Sequence, residues 1–480
     1  MDNINILSQT SSIFLILFIS FIFVIIGVFY SKNYKGLSNY LVANRSIGTF
    51  SLTTSLVASA LGAWILFGPA SAATWGGMGS VIGYALGTAF PLFILFYLGE
   101  KIRKNFPKCK TLIEAIRLKF GNKLFKLILL LSIFYMTIFL IAEVTAVAML
   151  LNYISGTKLW VTALIIISSS LIYTLYGGLR ASIFTDNIQF IVFGLLLLIA
   201  YFYLTSFNSN TFSFEYIKSN KPILLSSNYL PNFTAGLTFF IAVAATNLFH
   251  QGNWQRVYAA KNSETLRKSL IISFFIIIPV VFYMGFTGMV AFSLDPTTRP
   301  DLGFFMLLLK EQKELLSLLV IVLGLALTIS TVDTLVNAIS SLIVVDGKAT
   351  FKFNKKINYF NLSTYIILFL SFISFIVASK GYDILYLFLL ADLFCCAFVI
   401  TVFYSFYNKD VNEKTAYVSI IIGLIGGFLF FPTPDFSKSL LVGVLMPKEL
   451  FAPIITQSLL FLSFVIATFL PFIVLKIKKF

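Results

Sequence analysis

Runs of roughly twenty apolar residues, each long enough to cross a bilayer, recur thirteen times along this chain. They lie near 12–30, 48–72, 78–99, 124–153, 157–176, 182–205, 234–257, 268–293, 314–345, 359–379, 383–406, 415–431 and 453–475. Nothing constrains the fold more, because backbone N–H and C=O groups in lipid have no water to bond and must be satisfied within helices. Composition agrees: of 480 residues, 59% are hydrophobic and only 11% charged, a balance foreign to soluble domains. The chain is therefore expected to be an all-α integral membrane protein of about 13 transmembrane helices. The longest stretch between spans, 207–233, is expected to be non-helical, and no soluble domain fits in any loop.

The first run follows MDNINILSQ, an acidic flank, and has no convincing small-residue cleavage site, so it reads as a retained helix rather than a signal peptide. An odd number of spans places the termini on opposite sides. With the N-terminus outside, the segments 32–45, 101–126, 180, 256–268, 348–356, 409–414 and 476–479 face inward and hold 26 of the 35 Lys and Arg residues. That bias is the one expected of a multi-pass protein of the cell's inner membrane with a cytoplasmic C-terminus. The net charge of +16 is then topological and implies no nucleic-acid partner. Cys109 falls in an inside loop, and Cys395 and Cys396 are neighbours in one span, so no disulfide framework is expected.

Two spans are interrupted. Residues 55–79 contain Gly62, Gly68, Pro69, Gly76 and Gly77, and residues 239–262 contain Thr246, Asn247, His250, Gln251, Gly252 and Asn253. Small residues can simply let helices pack closely. Glycine and proline also free backbone carbonyls, which an ion or an enclosed cavity can satisfy but lipid cannot. Four spans separate the two interruptions, and four more follow the second before the last two. This spacing predicts two five-helix repeats of opposite orientation, 48–205 and 234–406, each opening on an interrupted helix. One flanking helix (12–30) precedes them and two (415–475) follow. A solute pocket is expected where the breaks meet near the midplane, lined by Gly62 and Trp64 from the first and Thr246, Asn247 and Gln251 from the second. His250 is expected to face packing partners instead.

The segment LALTISTVDTLVNAISS, 325–341, sets Ser330, Asp333, Thr334 and Asn337 on one helix face, with Thr331 beside Ser330. Hydroxyls and amides can serve only to knit helices together, but a mid-membrane carboxylate needs a cation, a proton or a partner. Glu143, Asp186, Asp392 and the single histidine, His250, are the other polar candidates within spans, and no Lys or Arg reads as lying deep in any of them. Carboxylates and hydroxyls without a basic partner suit Na⁺, a hard ion that prefers oxygen ligands. Titration of Asp333 or Asp186 in a proton-coupled carrier is the alternative, and an uncoupled channel or facilitator is another. A membrane enzyme finds no motif: there is no HExxH and no GxSxG with triad partners.

Several segments resemble the sodium/solute symporter family, which has an inverted-repeat fold of the LeuT type: SNYLVANRSIG (38–48), TLYGGLRASIFTDNIQF (174–190), QRVYAAKN (255–262) and the Ser330-Thr331 pair. YGGLRA followed by TDxIQ carries most of the specificity. The resemblance implies a transporter that couples inward Na⁺ movement to uptake of a small polar organic solute. It also implies a Na⁺ site made by the carbonyls of Ala58, Leu61 and Leu327 with the hydroxyls of Ser330 and Thr331. A second site at Asp186, Ser330, Asp333 and Thr334 matches places used by some members. The proline-transporting branch has an aspartate where this chain has Ala60, and the sugar-transporting branch an aromatic gate where it has Thr246 or Asn247. With no Lys or Arg read near either break, a neutral or zwitterionic solute is expected, and no protein partner is implied.

Overall fold

A computed structural model describes residues 4–207, 210–297, 299–350, 358–408, 411–445 and 453–477. Of the charge-bias residues, Lys352, Lys355, Lys356, Lys409, Lys478 and Lys479 lie outside the described residues.

Thirteen longer helices organise the chain: α1 (Gln9–Ser31), α2 (Thr49–Ala60), α3 (Gly68–Asn105), α4 (Asn122–Ser155), α5 (Leu159–Phe207), α6 (Leu230–Phe249), α7 (Gln251–Ala259), α8 (Ser263–Leu294), α9 (Glu314–Ser341), α10 (Tyr359–Ala378), α11 (Ile384–Ser405), α12 (Glu413–Phe430) and α13 (Pro453–Ile477). Among the described residues, eleven helical segments are long and apolar enough to cross a membrane. The difference from the thirteen expected spans has a local cause. α3 takes in the end of one expected span and all of the next, and α5 takes in two. Each leaves helical geometry at a single residue, Gly77 (φ 48°, ψ −148°) or Gly178 (φ 59°, ψ −153°), so no loop marks the corner. A side chain is excluded at Gly178, where a Cβ would lie 2.4 Å from the Tyr40 ring.

The segment 207–233 is more ordered than expected. It contains a helix, Phe214–Asn220, capped by Ser213, and a 3-10 turn, Pro222–Leu225. The Asn232 amide then gathers the carbonyls of Ile223, Leu224 and Ser226. Small residues set the tightest helix contact: Gly79, Gly83 and Gly87 of α3 lie against the backbone of Asn232, Gly236 and Phe239 in α6, the spacing that lets two membrane helices meet backbone to backbone.

α3 packs between α6 and α8, α2 against α5 and α8, and α9 against α4 and α5, while α11 joins α4 to α6. α9 and α11 are the most enclosed spans, whereas α1 and α10 are mostly open to lipid. One backbone link crosses between the two interrupted segments. Ile47 N–H donates to Ala259 O (3.1 Å) and Lys261 N–H to Ile47 O (2.9 Å), joining the stretch ahead of α2 to the stretch after α7.

Candidate functional site

The two breaks differ in what becomes of their backbone carbonyls. α2 stops at Ala60, and its last backbone bond runs from Leu61 N–H to Val57 O (3.0 Å). Leu61 and Gly62 then leave helical geometry before a 3-10 turn, Ala63–Leu66, leads into α3. The Trp64 indole donates to Ala60 O (3.3 Å), but no side chain among the described residues donates to Ala58 O or Leu61 O. At the second break a single residue, His250 (φ −60°, ψ 116°), separates α6 from α7. There the freed carbonyls are closed by protein: Asn253 donates to Asn247 O (2.8 Å), the Trp254 indole to Leu248 O (2.9 Å) and Tyr135 OH to Phe249 O (3.4 Å).

Opposite the first break stands α9. Thr331 Oγ1 donates to Leu327 O (3.1 Å), and a Cβ placed on Gly62 would come within 2.7 Å of that hydroxyl oxygen. Ala58, Leu61, Leu327 and Ser330 are fully buried and Thr331 nearly so. The structure thus brings the five residues expected at the first Na⁺ site to the packing of α2 and its 3-10 turn on α9. Ser330 itself points to the layer below, donating to Asp186 Oδ1 at 2.6 Å.

That layer corrects one expectation. Arg256, read from the sequence as the first residue of a loop, is fully buried and forms an ion pair with Asp186 at 2.7 Å. After the break at His250, α7 carries the guanidinium inward, where Nε donates to Ser55 Oγ (2.8 Å), Nη1 to Gly252 O (3.1 Å) and Nη2 also to Thr334 Oγ1 (3.0 Å). Ser55 Oγ in turn donates to Asp186 Oδ2 (2.5 Å). A deep basic partner therefore exists for one carboxylate. Asp333 is held differently, by hydroxyls: Tyr173 donates to Oδ2 (2.7 Å), Ser182 to Oδ1 (2.8 Å) and Thr185 to Oδ2 (3.3 Å). Ser55, Tyr173, Ser182 and Thr185 did not stand out in the sequence as site residues, since single hydroxyls within apolar runs carry no signal of their own.

Between the breaks lies a cavity of about 40 Å³, room for a few waters. Trp64, Thr246 and Asn247 line it as expected, together with Thr331. Gly62 sits behind it, where a Cβ would meet Glu143 Oε1 at 2.2 Å. Gln251 is elsewhere: its amide accepts from Leu112 N–H (3.2 Å) and donates to Ser341 Oγ (3.3 Å), tying the helix Leu112–Phe120 to α9. His250, expected to face packing partners only, lines the cavity, with its ring stacked on Phe139 at 6.4 Å. Two carboxylates face the same space, Glu143 from α4 and Asp392 from α11.

Residues 40–423 match the model of the sodium:solute symporter family. The chain belongs to that family. The symporter is 26% identical over 392 residues to a spermidine transporter of Candida albicans, a match covering 81% of this chain and 73% of the relative. It is 26% identical to the sodium/pantothenate symporter of Haemophilus influenzae, over 85% of this chain and 88% of that one. Among solved structures, a substrate-bound, outward-open Na⁺-coupled sialic acid symporter superposes with a TM-score of 0.67 at 18% identity, covering 97% and 98% of the two chains. The symporter thus has the LeuT-type inverted-repeat fold, and as a member of the sodium:solute symporter family it is a secondary transporter and not an enzyme.

Proposed function

We propose that the symporter accumulates a small organic solute by alternating access, with Na⁺ bound by the carbonyls of Ala58, Leu61 and Leu327 and the hydroxyls of Ser330 and Thr331. The asymmetry of the two breaks supports this assignment: the carbonyls of the second are closed by side chains, while no side-chain donor among the described residues reaches Ala58 O or Leu61 O, on a segment that packs against α9. A hard cation in a dry site takes such oxygens. A second Na⁺ at Asp186, Ser330, Asp333 and Thr334 competes with Arg256 for Asp186. We propose that ion and guanidinium alternate there. That the hydrogen-bond partners of Asp333 are all hydroxyls also favours a second reading, in which Asp333 carries a coupling proton.

The solute is proposed to bind in the cavity between the breaks, at Trp64, Thr246 and Asn247. The solutes named for the relatives, spermidine, pantothenate and sialic acid, share no chemical class. The lack of Lys and Arg around the cavity disfavours an anion and leaves the solute's class to the groups that do line it. The segments 48–205 and 234–406 are the proposed repeats, in a cell inner membrane with the N-terminus outside.

Ser330→Ala and Thr331→Ala test the Na⁺ site. Each removes one of about five oxygens where no water replaces it, so the Na⁺ half-saturation of uptake into proteoliposomes is expected to rise about tenfold or more. Wild-type half-saturation in both variants would place the ion elsewhere. Uptake that persists with K⁺ in place of Na⁺ and follows an imposed pH gradient would select the proton.

A further inference from the structure

Glu143 and Asp392 face the cavity with exposures of 0% and 4%, and among the described residues neither forms an ion pair. Glu143 is held by one oxygen only: Oε2 accepts from Ala63 N–H at 2.9 Å, and Oε1 has no hydrogen-bond partner. The N–H freed by the first helix break, which could have received a solute's carboxylate, is thus taken by the protein's own. A buried carboxylate oxygen left unpaired is strongly destabilising, and the cavity wall has no Lys or Arg to pair it, His250 being its one basic side chain.

Four aromatic rings share the wall with the polar residues, those of Trp64, Tyr84, Phe139 and Phe388. Trp64 stacks on Tyr84 with centroids 5.5 Å apart and meets Phe388 at 6.2 Å, and Phe388 meets Phe139 at 5.0 Å. Na⁺ prefers an all-oxygen shell, whereas an alkylammonium gains from ring faces and from carboxylates together. With room for a few waters, the space suits a slender chain better than a bulky ring.

We propose that the transported solute is not the neutral or zwitterionic compound expected from the sequence but an organic cation, a slender alkylamine whose ammonium group lies between Glu143 and Asp392 beneath the rings of Trp64, Tyr84 and Phe388. This deepens the carrier reading above and rests on its placing of the solute between the two breaks.

The test uses purified full-length protein, in Na⁺ and in K⁺ buffers, with 1,4-diaminobutane as probe and 1,4-butanediol as the uncharged compound of equal length. Thermal midpoints and equilibrium binding of labelled diamine are measured. The diamine is expected to raise the midpoint in Na⁺ and the diol to leave it unchanged. Glu143→Gln and Asp392→Asn are each expected to weaken diamine binding about ten- to a hundredfold. If Na⁺ stabilises the protein over K⁺ but the diamine does nothing, the solute class falls while the carrier stands. If the diol stabilises equally, charge is not what the cavity reads and the proposal falls. A diamine shift without any Na⁺ shift supports the amine and counts against the coupling ion. Should either variant fail to fold, the wild-type comparison of diamine with diol still decides.

Discussion

Gly62 shows how one residue can hold two functions together. With hydrogen as its side chain, Glu143 and Thr331 both approach the first break; a Cβ would stand 2.2 Å from Glu143 Oε1 and 2.7 Å from Thr331 Oγ1. Gly62→Ala is expected to lose Na⁺-driven uptake while the protein stays monodisperse on size exclusion, with overpacking lowering stability by about 1–3 kcal/mol. Normal uptake in that variant would mean the break does not bring these side chains to bear. At the far end of the chemistry scale, Cys109 is 1% exposed, and burial, aided by the charges of Glu114 and Asp346, pushes its thiol up to about 12. The thiolate, the reactive form, is then about one in ten thousand at pH 8. Cys395 and Cys396 are also free and buried, so a maleimide is expected to label no cysteine quickly in the native protein and three after denaturation. Much of the site was legible at this scale, because polar residues in an apolar run announce themselves: Thr331, Thr246, Asn247, Glu143 and Asp392 all drew notice in the sequence. Gln251 drew the same notice but bonds Leu112 and Ser341. Nothing in a linear pattern says toward which side a polar group beside a break will turn.

Among elements, α7 departs furthest from what its sequence predicts. Linear charge rules assign an arginine at the edge of an apolar run to the water side, and Arg256 obeys the rule in sequence and breaks it in space. After the break at His250 it reaches α2, α5 and α9, where it meets Ser55, Asp186 and Thr334. Likewise Tyr173 and Ser182 reach Asp333 from opposite sides of the Gly178 corner in α5, a convergence that sequence spacing cannot display. The fold class was legible because apolar length alone dictates it, whereas this buried network depends on how three helices turn. Both members of the Asp186–Arg256 pair are fully buried, and removing one partner strands the other. Asp186→Asn or Arg256→Gln alone is expected to lower stability by about 3–5 kcal/mol, and the double variant to recover most of that loss. Thermal unfolding in detergent reads the cycle, and additive losses in the double variant would show that the two groups act independently.

For the whole molecule, the proposed orientation follows from charge bias and can be read directly. Because the native cysteines are buried, Ser8→Cys in intact cells is expected to react with a membrane-impermeant maleimide, and Lys476→Cys only after permeabilisation. The reverse pattern would invert the topology. Energetically, each Na⁺ moved inward contributes about 2.3 kcal/mol per 100 mV, so two ions at about 100 mV would sustain roughly a thousandfold accumulation of a neutral solute, and a cationic solute would add its own charge to that drive. That energy has to be turned into motion around the cavity, and the short backbone link between Ile47, Ala259 and Lys261 limits how. It yokes the near ends of α2 and α7, while the glycine seam of α3 on α6 joins the helices beyond the two breaks. Tied at both ends, the four helices are expected to move together as one lever. In hydrogen–deuterium exchange, the amides of Ile47 and Lys261 should stay slow in every ionic condition, whichever side of the membrane the lever opens to.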